Sequence, residues 1–209
     1  MRVTAETKQE TRQRILDAAR KLFSEKGFAG TTTRDLAAEA SIATGTMFNY
    51  FAGKEHLALA IVDPSLEAAR REFLESRHDG ESLEEALFAH VAITLRHLRP
   101  HRAYLSDVVE STLSPFNRSS GAEASAGLRV RHLETVQALI EALASKSTPR
   151  PSAVTMHLYW TLYLGVLAFW AKDESPKQED SLVLLDQALR LFVSSLETDP
   201  RTLEINHAP

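Results

Sequence analysis

Apolar residues recur every three or four positions along nearly the whole chain. Ile15, Leu16, Ala19, Leu22 and Phe23 stand at offsets 0, 1, 4, 7 and 8, which is one face of a helix, and Gly27 closes that run as a C-terminal stop. After the threonine run 31–33, where a hydroxyl can cap free amides, Leu36, Ala37 and Ala40 form the apolar side of a second helix. Residues 41–43 are short enough for a turn, and 44–51 read as a third helix.

Beyond Lys54 the segments lengthen. Residues 55–77 are helical by pattern but contain Asp63-Pro64-Ser65. Proline inside a helix removes a backbone bond and clashes with the preceding turn, so a kink, or a break with Asp63 as a new cap, is expected there. Further helices are predicted at 82–98, 101–113, 126–146, 152–171 and 179–198. The last carries Leu182, Leu185, Leu189, Phe192 and Leu196 at spacings of 3, 4, 3 and 4, a seam for packing on another helix. SPFNRSSGAEASAG, 114–127, is rich in Ser, Gly and Ala and reads as a mobile connection, a pocket lid or a disordered stretch. The pattern contains no repeat and no sustained strand alternation, so the fold class is all-α.

Composition narrows the function classes. The 209 residues are 44% hydrophobic and 25% charged, as in an ordinary globular chain. There is no cysteine, which excludes a disulfide framework and thiolate metal sites. The first thirty residues lack the apolar core of a secretory signal, so a cytoplasmic protein is expected. The net charge of -4 hides an asymmetry: residues 1–57 hold 9 Lys and Arg against 7 Asp and Glu. A domain that meets nucleic acid needs a basic face rather than a basic whole.

AVTMHLYWTLYLGVLAFWA, 153–171, carries no charged residue, and about 20 apolar residues suffice to cross a membrane. Thr155, His157 and Thr161 interrupt it and its neighbours are amphipathic, so the expectation is a helix buried all round, in a core or a dimer, and no membrane. Catalytic motifs fail on inspection. Gly53-Lys54 lacks the earlier glycine and the following Ser or Thr of a phosphate loop, and no nucleophile elbow or His-Glu-x-x-His occurs. Pro100 spoils the helix that would align His97 with His101 for metal. No enzyme, metal or cofactor is expected.

ATGTMFNYFAGKEHL, 43–57, carries the chemistry. A helix, a three-residue turn and a second helix over 32–51 make a helix-turn-helix, whose second helix lies in the major groove with its N-terminal residues at base edges. Thr44, Gly45 and Thr46 would face the groove, small enough for close backbone approach, and Asn49 could pair with an adenine. Met47, Phe48 and Phe51 are expected inside, holding that helix against Phe23, Leu36 and Ala37. Tyr50 can offer its hydroxyl to a phosphate and Lys54 its charge. With Thr33 and Arg34, Arg34 as a second phosphate contact, these complete the candidate DNA-binding set: Thr33, Arg34, Thr44, Gly45, Thr46, Asn49, Tyr50 and Lys54.

RILDAARKLFSEKGFAGTTTRDLAAEASIATGTMFNYFAGKEHL, residues 14–57, resembles the N-terminal domain of the TetR/AcrR family of bacterial transcriptional regulators. The matching positions are Ala18, Ala19, Leu22, Phe23, Gly27, Phe28, Thr32, Ile42 and the run G-T-M-F-N-Y-F-x-x-K-E-x-L, about the first quarter of the chain. Two residues depart from the family pattern: Phe48 stands where a tyrosine is usual, and Ala43 where a serine commonly caps the reading helix.

The resemblance implies a helix-turn-helix domain at 1–54 and a larger helical ligand-binding and dimerisation domain at 55–209. It implies a homodimer through helices 152–171 and 179–198, a palindromic operator, and repression relieved by a small apolar or aromatic effector. Candidate pocket residues are Phe73, Phe88, Val91, Tyr104, Val108, Phe116, Met156, Trp160, Tyr163 and Leu167. The competing expectation is a helical small-molecule-binding protein that keeps the DNA-binding module without using it.

Overall fold

The computed structural model describes residues 5–109, 120–145 and 150–197, and every regular element among them is helical. In chain order these are α1 (Ala5–Lys26), α2 (Thr33–Glu39), α3 (Thr44–Phe48), α4 (Lys54–Ser76), α5 (Leu83–Leu98), α6 (Arg102–Val108), α7 (Ser120–Leu143), α8 (Ala153–Lys172) and α9 (Glu179–Glu197). Short 3-10 turns at Arg99–His101 and Pro176–Gln178 precede α6 and α9.

Capping explains several boundaries. Thr32 caps α2: its hydroxyl accepts from the Asp35 amide while the Asp35 carboxylate accepts from the Thr32 amide. Ser82 and Glu85 form the same box at α5, and Ser152 caps α8 through the Thr155 amide. Gly27 ends α1 at a φ of 73°, a left-handed conformation that glycine adopts without steric cost.

Two apolar clusters fill the interior. In the first, Ile15, Leu16, Leu22 and Phe23 of α1 pack with Leu36, Met47 and Phe51, with Leu57, Ala58, Leu59 and Ile61 of α4, and with Tyr104 and Val108 of α6. The second joins Val62 and Phe73 of α4 to α5, α7, α8 and α9. The packing therefore divides between Ile61 and Val62, inside one continuous helix. Any movement of α4 is felt on both sides of that division.

Three expectations change. Pro64 does not break the helix: α4 runs unbroken from Lys54 to Ser76, and Asp63 pairs with Arg131 of α7 instead of capping a new segment. The expected connection 114–127 is helical from Ser120 onward, because the modest helix penalty of Ser and Gly, below about 1 kcal/mol each, is outweighed by packing α7 on α4 and α5. α6 ends at Val108, and the rest of the segment expected at 101–113 lies outside the described residues beyond Val109.

The α9 seam packs on other helices, α5 and α8. Of its residues, Leu185, Leu189, Phe192 and Leu196 are buried within the chain, and Leu182 remains exposed. The α8 helix is long and apolar enough to cross a membrane, yet 44% of its most apolar window is buried inside the chain. Within the single chain Val154, Leu158 and Phe169 stay exposed on one side of it. The α8–α9 junction is tied by Asp173, whose carboxylate accepts from the Ser175 and Ser181 amides and the Ser181 hydroxyl, and is thereby held well below its ordinary pKa.

Candidate functional site

The reading helix α3 is only five residues long, Thr44–Phe48, not the eight expected, and the chain leaves it through a turn in which the Tyr50 and Phe51 amides both donate to the Met47 carbonyl. Ala43 occupies its N-cap with no side-chain hydrogen bond, so α3 lacks the cap that a serine would supply. The turn before it passes through Ser41 at a φ of 56°. There the Ser41 and Ile42 amides donate to Ala38 and Ala37 carbonyls and close α2.

Within this frame Met47 and Phe51 are buried, as expected from their spacing of four, but Phe48 is 49% exposed. Consecutive helix positions differ by about 100° of rotation. Once Met47 points into the core, Phe48 points away from it. The outward side of α2 and α3 thus exposes Arg34, Gly45, Phe48 and Asn49 to solvent and Thr33, Thr44 and Thr46 in part, with half-buried Tyr50 beside them. Arg34 makes no hydrogen bond or ion pair within the described residues, and a Cβ built on Gly45 meets nothing within 4 Å.

Lys54 is placed differently from the other candidates. Its ammonium donates to the carbonyls of Phe28 at 2.9 Å and Thr31 at 3.3 Å and lies 4.5 Å from the centroid of the Phe28 ring. Two of its three N–H groups therefore bind the α1–α2 connection to the start of α4. Other basic residues of α1 are also engaged: Lys21 pairs with Glu39 at 2.8 Å, Lys26 with Asp35 at 3.7 Å, and the Arg12 guanidinium lies over Phe51.

A second candidate site lies between α4, α5, α7 and α8. It is an inner cavity of about 70 Å³ walled by Leu59, Val62, Leu66, Leu98, Val108 and Leu128 on its apolar side. The polar residues Glu67, Arg70, His90, Thr94, Arg131, His132, Thr135, Trp160 and Tyr163 also line it. An outer cavity of about 190 Å³ shares Leu59, Leu128 and Arg131 with the inner one and adds His56 and Asp63. The His90 and His132 rings are 4.8 Å apart, and His132 stacks on Tyr163 at 4.2 Å while sharing a 3.0 Å hydrogen bond with the Tyr159 hydroxyl. Burial, helped by the Arg70 charge, lowers His90 to about 4, and burial pushes His132 well below the ordinary range. Both imidazoles are neutral near pH 7.

Of the predicted pocket residues, Val108, Trp160, Tyr163 and Leu167 line the inner cavity. Phe73, Phe88, Val91, Tyr104 and Met156 do not. Phe73 backs the wall, with its ring 4.9 Å from that of His90. Val91 and Met156 are buried elsewhere in the second cluster, and Phe88 is half-buried against it. Tyr104 belongs to the first cluster, its ring 5.5 Å from Phe23. Phe116 lies outside the described residues. The polar residues of the wall, Arg70, His90, Thr94, His132 and Thr135, were missed by a search for apolar and aromatic positions.

Comparison with known proteins agrees with this arrangement. Residues 15–61 match the family described as bacterial regulatory proteins, tetR family, and residues 87–205 match the tetracyclin repressor-like C-terminal domain. The transcriptional regulator UidR of Escherichia coli K12 is 40% identical over 67 residues, 32% of this chain and 34% of that protein. HbdR of Aromatoleum is 33% identical over 89 residues, 41% of this chain and 39% of that protein. The chain thus spans between about a third and two fifths of the length of these curated relatives. Among solved structures, Thermus thermophilus FadR in complex with lauroyl-CoA superimposes with a TM-score of 0.65 at 22% identity, over 95% of this chain and 98% of that one. A TetR regulator from Nitrosomonas europaea gives 0.62 at 19% identity, over 88% and 98%. With a helix-turn-helix whose outward face is free and a helical domain matched over more than half its length, the chain belongs to the TetR family of DNA-binding bacterial transcriptional regulators.

Proposed function

We propose that the protein is a homodimeric repressor whose hold on a palindromic operator is loosened by a small, largely apolar or aromatic effector. Each subunit places α3 in a major groove, with half-sites about one helical turn apart or a little more. Thr44, Gly45, Thr46 and Asn49 approach base edges, and Thr33, Arg34 and Tyr50 reach the phosphates. The exposed Phe48 adds an apolar surface suited to a thymine methyl. Lys54 serves as the pin that seats α4 beneath the module rather than as a phosphate contact.

The observation that carries the coupling is that Leu59 and Val108 wall the inner cavity and also belong to the cluster packed around α1–α3. A ligand that enlarges the cavity must move α4 or α6 and therefore the module. A polar relay runs alongside. The Ser65 hydroxyl is 3.0 Å from His101 Nε2, and His101 Nδ1 is 2.8 Å from the Tyr104 hydroxyl, whose ring rests on Phe23. Pro64 adjoins this relay and is proposed as the hinge that lets α4 swing between two states the effector binds unequally.

The dimer is assigned to α8 and α9, where Leu158 and Phe169 on one helix and Val183 and Leu191 on the other are exposed. An apolar surface of this kind on helices favours a helical partner. Gly165 lies exposed between Leu158 and Phe169, with open space over its Cα, and permits close approach. The complex of Thermus thermophilus FadR with lauroyl-CoA supports the reading that this fold can hold an apolar-tailed ligand.

A cavity-filling substitution tests the coupling without knowing the effector. Thr135→Phe, on α7 at the cavity wall, should lower operator affinity at least tenfold in a protein that remains a folded dimer. Unchanged affinity contradicts the coupling. Ligand binding by a protein with no salt-dependent DNA affinity would instead favour the small-molecule-binding alternative.

A further inference from the structure

Among the described residues, five buried side-chain polar atoms have no hydrogen-bond partner: His56 Nδ1, Arg70 Nε, His90 Nδ1, His90 Nε2 and Trp160 Nε1. All five belong to residues of the two adjoining cavities, Arg70, His90 and Trp160 at the inner one and His56 at the outer one. An unpartnered buried polar atom is costly, and such atoms normally find a partner or a water. Their confinement to one place marks it as a surface built to meet something polar.

The kinds of atom define what that is. Arg70 Nε and Trp160 Nε1 are donors only, and neutral His90 supplies one further donor and one acceptor. His90 and Trp160 are almost wholly buried, at 4% and 3% exposure. Arg70 is ion-paired with Glu67, whose Oε2 stands 3.5 Å from Arg70 Nε without completing a hydrogen bond, so Nε keeps a free donor, and the Glu67 carboxylate lines the same cavity. Arg131, by contrast, is paired with Asp63, and the Thr94 and Thr135 hydroxyls donate to backbone carbonyls of their own helices. Among the unpartnered buried atoms at the inner cavity there are therefore three donors, one of them on an arginine, against one acceptor, while the Glu67 carboxylate and Arg131 on the same wall are each engaged in an ion pair.

We infer that the effector is an organic monocarboxylate with an apolar body, its carboxylate received by Arg70, Trp160 and His90 in the inner cavity and its body reaching along Leu59 and Leu128 toward the outer one. This rests on the cavity being the effector site. A carboxylate accepts several hydrogen bonds and donates none, which is the complement of this donor set. The remaining imidazole nitrogen of His90 then faces an anion, in a cavity to which α4 contributes Glu67 and Arg70, α7 contributes Arg131 and His132, and α8 contributes Trp160, with the Phe73 ring beside His90. Binding should accordingly draw a proton from solution onto His90.

The test is calorimetric titration of the full chain with n-alkanoates from acetate to dodecanoate and with phenylacetate, each beside its primary amide, in buffers of different ionisation enthalpy. The expected result is that at least one acid binds ten times or more tighter than its amide with net proton uptake. Arg70→Gln should remove that preference, and Trp160→Phe should reduce it several-fold while the fold is retained. Equal binding of acid and amide, a preference that survives Arg70→Gln, or binding by no member of the series overturns the assignment. Operator binding measured on the same preparations separates this outcome from the functional reading. Intact, salt-dependent DNA binding with no acid preference removes the ligand class and leaves the regulator.

Discussion

The Lys54 ammonium sits 2.9 Å from the Phe28 carbonyl oxygen and 4.5 Å from the centre of the Phe28 ring, so the first residue of α4 is fastened to the end of α1. A lysine that sequence alone offers as a phosphate contact is thus largely spent on the protein itself. Its replacement should be felt in stability before it is felt in electrostatics. Lys54→Met is expected to destabilise the protein by about 1–3 kcal/mol, the range for losing hydrogen bonds to a charged group and a cation–π contact. The slope of log affinity for DNA against log salt should stay unchanged, whereas losing a true phosphate contact lowers it by about 1. Thermal melts and a salt titration on one variant read both.

The turn between α2 and α3 holds Ser41 at a φ of 56°, where a side chain is disfavoured and glycine is not. Ser41→Gly should stabilise the protein by about 0.5–1 kcal/mol, and Ser41→Val should destabilise it by more than that. Denaturant unfolding of the two variants checks the sign. Equal effects would mean that the turn relaxes.

Acidification should weaken the fold through His90. Its folded pKa is lowered from 6.5 to about 4 by burial and by Arg70. The unfolded chain therefore takes up a proton between these values while the folded chain does not. Stability is greatest above about pH 6.5 and is lost as the pH falls toward about 4, by up to about 3 kcal/mol from this one group, following one pKa unit per 1.4 kcal/mol. His90→Phe should flatten that slope. Urea unfolding at a series of pH values measures it, and an unchanged slope would place the effect elsewhere.

Pro64 stands in an unbroken α4 two residues past the division between the two apolar clusters. If it is the hinge, Pro64→Ala should stiffen α4 and reduce ligand-induced release of DNA several-fold, while operator affinity without ligand changes little. Equal changes in both quantities would count against a hinge.

How far the sequence could be read depends on what each residue's neighbours must be. The helix-turn-helix was legible because Ile15, Leu22, Phe23, Leu36 and Met47 lie at local helical spacings and pack with one another. Phe48 was misplaced because the expectation put Met47, Phe48 and Phe51 all inside, whereas consecutive helix positions turn by about 100°, so that once Met47 is buried its neighbour Phe48 faces outward. Tyr104 was assigned to the pocket and lies in the first cluster, since nothing in a seven-residue helix says which of two cores it faces.

The cavity wall left one readable trace. Leu87, His90, Val91, Thr94 and Leu98 follow helical spacing along the buried face of α5, so two polar residues interrupt an apolar stripe at core positions. A polar pair placed there is what a built cavity looks like in one dimension. Arg70 and His132 give no such sign, because their pairing with the cavity depends on how α4 and α7 cross.

The most direct measurement is selection of random duplex DNA by the purified protein at moderate salt, with Arg34→Ala beside it. The account predicts an enriched palindrome, bound by the dimer, for which Arg34→Ala shows weaker affinity and a salt slope reduced by about 1 for each subunit. A folded protein that enriches no palindrome, or whose affinity and salt slope are untouched by Arg34→Ala, would contradict it.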